Sequence, residues 1–591
     1  MYKILFFLVL LALSISCTQT SKKDLNNDDI LKPNIILILT DDQGWGDLSS
    51  NGNTNIETPN IDKLAETGVT FDRFYVCAVC SPTRAEILTG RYNVRGGIWS
   101  TSAGGERLDL DETTIAEVFK EAGYSTAAYG KWHNGMQAPY HPNSRGFDDF
   151  YGFCSGHWGN YYSPMLEHNG KIVQGEGFLI DDFTNHGIEF IEKNKDKPFF
   201  LYLPFNTPHS PMQVPDEFWE KYEHKELNMF HRDKEKEDVA FTRAALAMCE
   251  NIDWNVGRIM NKVEELSLSE NTIIIYLSDN GPNSWRWNGG MKGRKGAVDE
   301  GGVRSPMIMK WKGTVDAGKK IKEIAAGIDL LPTLAEFAGI ELDLEKPLDG
   351  KSITPLLVEN NPTWEDRIIV NHWRGKTSLR NQKFRLGYQD KLFEIDKDPG
   401  QYSDVSEKYP EQYAALMEAK RKWIAEVASE LDEKADRPFP IGHPSLFQTQ
   451  LPARDAIGHG NIKRSNRWPN SSYLLNWTST TDSITFSSEV LTSGDYEIEL
   501  FYTCPEEDIG STIELSFNNS KLEFQLTEAF DSPLLKDDDI YPRMEGYVKE
   551  FKQKNIGTIY LEKGTGLLTL KATEIPGSQV MDFRLLLLNK I

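Results

Sequence analysis

Along the first four hundred residues, short apolar runs alternate with longer amphipathic ones. Residues 34–40 (NIILILT) and 271–278 (NTIIIYLS) are apolar almost throughout, and 125–130 (STAAYG) and 198–205 (PFFLYLPF) follow suit. Runs of this length without polar alternation predict strands buried on both faces of a parallel sheet. Helical spacing fills the intervals, at 58–68 (TPNIDKLAETG), 113–123 (TTIAEVFKEAG) and 240–266. The alternation predicts an α/β fold with a mostly parallel central sheet between helices.

From residue 458 the period changes. DYEIELFYT, STIELSF, KLEFQLT, IGTIYL, GLLTLKAT and MDFRLLLLN are short runs of strand length, several of them alternating, with turns between. They predict an antiparallel β-sandwich over 458–591, and the irregular, Pro-rich stretch 436–457 reads as a linker. Such a module either binds carbohydrate or only packs on the catalytic part.

The four predicted strands lead into side chains with chemistry. They are followed by Asp41-Asp42, by Lys131-Trp132-His133, by NTPHSP with His209, and by Asp279-Asn280. Each alone fits a turn or helix cap. In a parallel sheet, though, ligands bind beyond the carboxyl ends of the strands, so the four would converge. Three carboxylates crowded together repel unless a cation joins them. Oxygen ligands without nearby His or Cys favour Ca²⁺ or Mg²⁺ over zinc, and the larger coordination number points to Ca²⁺.

Composition narrows the partners. A chain of 591 residues holds more than one domain, and 39% hydrophobic with 26% charged residues is a folded, soluble balance. The 65 basic against 88 acidic residues leave −23, which argues against nucleic-acid binding. An anionic substrate therefore needs a local cluster of Lys, Arg or metal.

The start, MYKILFFLVLLALSISC, has the shape of a secretory signal too short to span a bilayer. LSISC resembles the lipobox of bacterial lipoproteins, so 1–17 is read as signal peptide and Cys17 as the acylated residue, with 18–32 a polar linker. That predicts an exported chain held in the cell envelope, periplasmic or on the outer-membrane surface, touching the membrane through its lipid only. An ordinary signal peptide and a secreted chain are the alternative.

Five cysteines remain, too scattered for a disulfide framework. Cys77 and Cys80 stand in CAVCSPTRAEILTGR (77–91), where no second Cys/His pair completes a zinc site. Ser81 suits a helix N-cap, Pro82 the first helical position and Gly90 a stop. Cys80 would then sit at the positive end of a helix with Arg84 one turn along, which lowers a thiol pKa and favours a bound oxyanion. A cysteine nucleophile with His133 or His209 as base is the simple inference, although calcium is a poor partner for a thiolate.

These residues resemble the type I sulfatases of the alkaline phosphatase superfamily. Their signature, C/S-x-P-x-R followed by A-x-x-x-T-G, is met by Cys80-Ser-Pro-Thr-Arg84-Ala-Glu-Ile-Leu-Thr-Gly90. The resemblance runs from about residue 34 to 430 through DDQGWGD, GKWH, PHSP, SDNG and GRKGAVDEGGVRSP. It implies a catalytic domain over 33–362 and a small α+β subdomain over 363–435. It also implies that a separate formylglycine-generating or anaerobic sulfatase-maturating enzyme oxidises Cys80 to Cα-formylglycine (3-oxoalanine), leaving Cys77 incidental. By position, Asp41, Asp42, Asp279, Asn280 and the modified Cys80 match the Ca²⁺ ligands, and Arg84, Lys131, His133, His209 and Lys295 match the residues around sulfate. The implied chemistry is attack by a hydrated aldehyde oxygen on sulfur, with His209 protonating the leaving oxygen and His133 taking the proton of the second hydroxyl.

A sulfated polysaccharide or its oligosaccharides is the expected substrate, algal (ulvan or carrageenan) before host glycosaminoglycans. Trp158 in SGHWGNYY and Trp285, Arg286 and Trp287 in NSWRWNGG are candidate sugar contacts. The rivals are a phosphoester or phosphonate monoester hydrolase of the same superfamily, and a glycan-binding lipoprotein without catalysis.

Overall fold

The computed structural model describes residues 32–433 and 436–591. The signal-peptide reading and Cys17 lie outside the described residues.

Five parallel strands form the middle of a ten-stranded sheet: β1 (Asn34–Thr40), β2 (Ser125–Lys131), β3 (Asp149–Phe153), β4 (Phe199–Pro204) and β5 (Thr272–Ser278). Their spatial order is β5-β1-β4-β2-β3. Antiparallel strands extend both sides, Met307–Trp311 beside β5 and Met165–His168 beside β3. All of β1 is buried, and its alternating side chains divide between two cores. Ile36 and Ile38 pack with Ile61, Leu179 and Val256 from helices Pro59–Thr67, Leu179–Asn194 and Val239–Glu265. Ile35, Leu37 and Leu39 pack with Ile87, Phe119 and Leu334 from helices Cys80–Thr89, Ile115–Glu121 and Leu330–Phe337. Helices on both faces are why the run is apolar at consecutive positions.

Four antiparallel strands between Ile369 and Glu394, with helix Pro410–Glu426 against them, form the small subdomain. Glu300 ties it to the large one: its buried carboxylate accepts from the Tyr75 hydroxyl at 2.9 Å and pairs with Arg380 and with Arg385, the latter at 3.2 Å.

The sandwich is two six-stranded sheets around one core that includes Trp477, Phe486, Leu515, Leu568 and Leu586. It begins before residue 458. Phe439–Ile441 pairs with Ser488–Val490, and Gln448–Pro452 with Leu585–Asn589, so the stretch 436–457 supplies two strands of the sandwich and is not a free linker. Among the described residues each of these two strands has a single partner strand. On such edges Pro440 and Pro452 can lack an N–H, and the prolines that suggested irregular chain are accommodated.

Candidate active site

β1 and β5 are hydrogen-bonded neighbours, with Thr40 opposite Ser278. Asp41-Asp42 and Asp279-Asn280 therefore emerge side by side, all four fully buried. The Asp279 N–H donates to the Thr40 carbonyl at 3.0 Å and the Asp42 N–H to Asp279 Oδ1 at 3.2 Å. Asp42 adopts a left-handed φ of 68°, which turns the chain back over the end of the sheet.

Three cations meet these three carboxylates. Lys295 Nζ lies 2.7 Å from Asp42 Oδ1, Arg84 Nη2 lies 2.9 Å from Asp279 Oδ2, and Lys131 pairs with Asp41. Asn280 Nδ2 donates to Asp42 Oδ1 at 2.8 Å. After these contacts, Asp41 Oδ1, Asp42 Oδ2 and Asn280 Oδ1 are buried with no hydrogen-bond partner. Orphaned buried oxygens are costly, and three of them in one place fit a hard divalent cation. Ligand atoms of Asp41, Cys80 and Asp279 lie within 4.8 Å of one another. Burial, reinforced by the neighbouring Asp41 charge, pushes Asp279 up to about 7. Burial acts upward on Asp41 too, but Lys131, His209, Lys295 and Arg84 outweigh it and hold that carboxyl well below the usual range. With the six charges balanced, a divalent cation would leave the pocket positive and suited to an anion.

The two histidines present opposite faces of their chemistry. His133 lies beyond β2 with φ 64°, and its Nε2–H donates to the Thr101 carbonyl at 2.9 Å. Its Nδ1 is left bare, buried and unpartnered. Burial, then Lys131, holds the ring well below its usual pKa, so it is a neutral proton acceptor. His209 Nδ1–H donates to the Ser210 carbonyl at 2.8 Å, and Nε2 points inward, 3.7 Å from Asp42 Oδ2.

Every residue of the helix Cys80–Thr89 is buried. It begins at Cys80 after the extended Val79, so Ser81 is not the cap that its sequence suggests. Thr83 does the anchoring: its hydroxyl accepts from the Cys77 N–H at 2.9 Å and donates to the Asp279 carbonyl at 2.6 Å. Gly90 ends the helix with φ 67°. The expected lowering of the Cys80 thiol pKa is overturned. Burial raises it against the pull of Lys131 and Lys295, leaving a protonated thiol that is a poor nucleophile. Cys77 is also buried, with Sγ 3.7 Å from Asn93 Oδ1.

The structure thus brings together all ten catalytic and metal candidates. It does not treat the sugar candidates alike. Arg286 is buried, held by Asp47 at 2.6–3.0 Å and by the Asp42 carbonyl at 2.9 Å. It braces the site and is not a sugar contact. Trp158 stacks on Phe153 with centroids 5.0 Å apart and has Arg584 over its ring; it packs between sheet and sandwich. Trp285 and Trp287 are half-buried in the loop joining Asn280 to Lys295, against His231 and Trp45 respectively. His157, Asn470 and Glu545, which border the two site histidines, escaped the sequence reading. His157 stands in SGHWGNYY, where Trp158 alone drew attention, and no motif surrounds the other two, which lie in the sandwich. A second buried cluster, His141, Cys154 and Glu167, is satisfied by its own hydrogen bonds.

A parallel sheet whose strand ends hold a cation-ready carboxylate cage, three cations for anionic oxygens and two histidines defines a hydrolase of anionic esters. A sulfatase family model matches residues 33–340, and one for the C-terminal part of N-sulphoglucosamine sulphohydrolase matches 294–429. Mouse (Mus musculus) N-acetylgalactosamine-6-sulfatase is 31% identical over 383 residues, 59% of this chain and 70% of that one. The structure of Ps i-CgsB in complex with k-i-k-neocarrahexaose is 32% identical at a TM-score of 0.60, covering 66% of this chain and 92% of that one. PsFucS1 sulfatase from Pseudoalteromonas sp., 24% identical, shares the fold at a TM-score of 0.58 over 68% of this chain and 92% of its own. The chain belongs to the sulfatase family and is a sulfuric ester hydrolase.

Proposed function

We propose that the chain hydrolyses sulfate esters of a sulfated polysaccharide or its oligosaccharides, of the carrageenan type, with Cys80 in its formylglycine form and Ca²⁺ in the carboxylate cage. The observation that carries this reading is the set of three orphaned oxygens on Asp41, Asp42 and Asn280, with Asp41 also in ligand reach of Cys80 and Asp279. The carrageenan oligosaccharide bound by Ps i-CgsB supports the substrate class. When bound, the ion supplies a Lewis acid and the hydrated aldehyde an oxygen nucleophile.

The remaining work falls to ordinary side chains. Arg84, Lys131 and Lys295 neutralise the sulfuryl oxygens. His209, protonated on Nε2, gives its proton to the leaving sugar oxygen, and the bare Nδ1 of His133 accepts one. The proposal extends to export, with Cys17 lipidated in the cell envelope and a separate maturase oxidising Cys80. Sulfate release from defined carrageenan, ulvan and glycosaminoglycan oligosaccharides, beside matched aryl sulfate and aryl phosphate esters, tests the substrate. Faster turnover of the phosphate would reject it. Mass spectrometry of the mature chain checks the other two: unmodified Cys17 removes the anchor, and an intact thiol at position 80 in active enzyme removes the aldehyde.

A further inference from the structure

The family models end at residue 429, yet two loops of the sandwich reach the histidines of the site. In the first, Asn470 Nδ2 donates at 3.3 Å to the Thr101 carbonyl, the same oxygen that His133 uses. Asn470 is fixed from behind, its carbonyl accepting from Ser155 Oγ at 3.1 Å and its Oδ1 from Arg454 at 3.2 Å. Next to it, Ser471 Oγ donates to the His157 carbonyl at 3.0 Å. A Cβ on Gly156 would lie 2.3 Å from His133 Nε2 and 2.7 Å from Asn470 Nδ2, which shows how closely sandwich and site meet there.

The second loop is tied to the His209 segment. The Ile540 N–H donates to the Met212 carbonyl at 3.0 Å, Gln213 Nε2 to Asp539 Oδ1 at 2.8 Å, and Arg543 to the Gly159 carbonyl at 2.5 Å. The chain then carries Glu545 to Ser210, His157 and His209, the two rings being 5.5 Å apart. The loops also touch each other, Asn466 Nδ2 donating to the Met544 carbonyl at 3.3 Å.

A general acid has to stand within hydrogen-bond reach of the oxygen it protonates. The sugar that carries that oxygen must therefore lie against the neighbours of His209, and Glu545 is one of them. Burial raises its carboxyl, but His157 and His209 outweigh this and bring it down to about 2, so it meets substrate as an acceptor only. Trp468, two residues before Asn470, is 46% exposed with Arg467 packed 4.8 Å over its ring. Its chain neighbours Asn466 and Asn470 reach the Met544 and Thr101 carbonyls, so this loop carries an exposed, broad apolar face next to the site.

We propose that these two loops form a sugar subsite of the sulfatase centre, in which Glu545 accepts a hydrogen bond from a hydroxyl of the sulfated sugar and Trp468 stacks on the adjoining ring. The sandwich is then part of the active site and not a tethered binding module. This deepens the proposed function and rests on its sulfated-sugar substrate.

The test compares kcat/KM of the full chain for two substrates: 4-nitrophenyl sulfate, and whichever hexasaccharide of carrageenan, ulvan or chondroitin sulfate it cleaves fastest. Glu545→Gln and Trp468→Ala each lower the sugar-to-aryl ratio about tenfold, the loss appearing in KM. Trp468→Phe, which keeps an aromatic face, stays within about twofold of the parent. Equal losses on both substrates, or an unchanged ratio, overturn the subsite. Cleavage of the aryl ester with no hexasaccharide also overturns it, and leaves the chemical centre standing. Cleavage of neither defeats the proposed function itself.

Discussion

On the floor of the site, Asp41, Asp42, Asp279 and Asn280 leave two adjacent strands whose register is fixed by one hydrogen-bonded ladder. On the sandwich side, Asn470 and Glu545 come from separate loops, positioned by side-chain contacts to Ser155, Gly159 and Gln213. The floor cannot be reshaped without disturbing the sheet. The wall can change by loop substitution alone, which suits the part that reads a particular sugar.

The largest break in this contrast comes from the floor. Cys80→Ala removes turnover to background, while the unfolding midpoint stays within a few degrees; residual turnover above background would discard the assignment of position 80. Lys295→Ala leaves the cage but loses one cation on the anion, and kcat/KM falls by about 10²–10³, read on an aryl sulfate. Arg286→Ala sharpens the boundary between floor and wall. It strands the buried Asp47 carboxylate and costs about 3–5 kcal/mol of stability in urea unfolding, an outcome that a rim sugar contact would not give. Chelation with EGTA lowers activity and the melting temperature together, and added Ca²⁺ restores both; a melting curve indifferent to the ion would contradict the cage.

The smallest effect is pH-dependent and belongs to the wall. His157 is buried and, with burial outweighing the Glu545 charge, is held at about 3 against a usual 6.5. The folded state thus binds fewer protons than the unfolded one. Its contribution is complete above pH 6.5 and declines as the pH falls toward 3. His157→Gln flattens the decline between pH 6.5 and 4.5 in thermal melts, and a parallel decline in the variant would assign it elsewhere.

The floor was legible because each residue follows an apolar run or a signature whose geometry is local. NIILILT is a strand wherever two cores flank it, and the Asp pair follows at once. The wall was not, since nothing near Glu545 or Asn470 in the chain announces the histidines they approach. Arg286 misled for a related reason: its loop lies between Asn280 and Lys295, but its partner Asp47 is 239 positions away. The 436–457 stretch misled through its prolines, which an edge strand tolerates.

Cys80 is 3% exposed, at the head of a helix with no residue facing solvent. An enzyme that oxidises this side chain cannot grip it once the sheet has closed around it. On the proposed oxidation of Cys80, the window for maturation shuts with folding, and a chain that folds first is left as a well-formed but inert thiol.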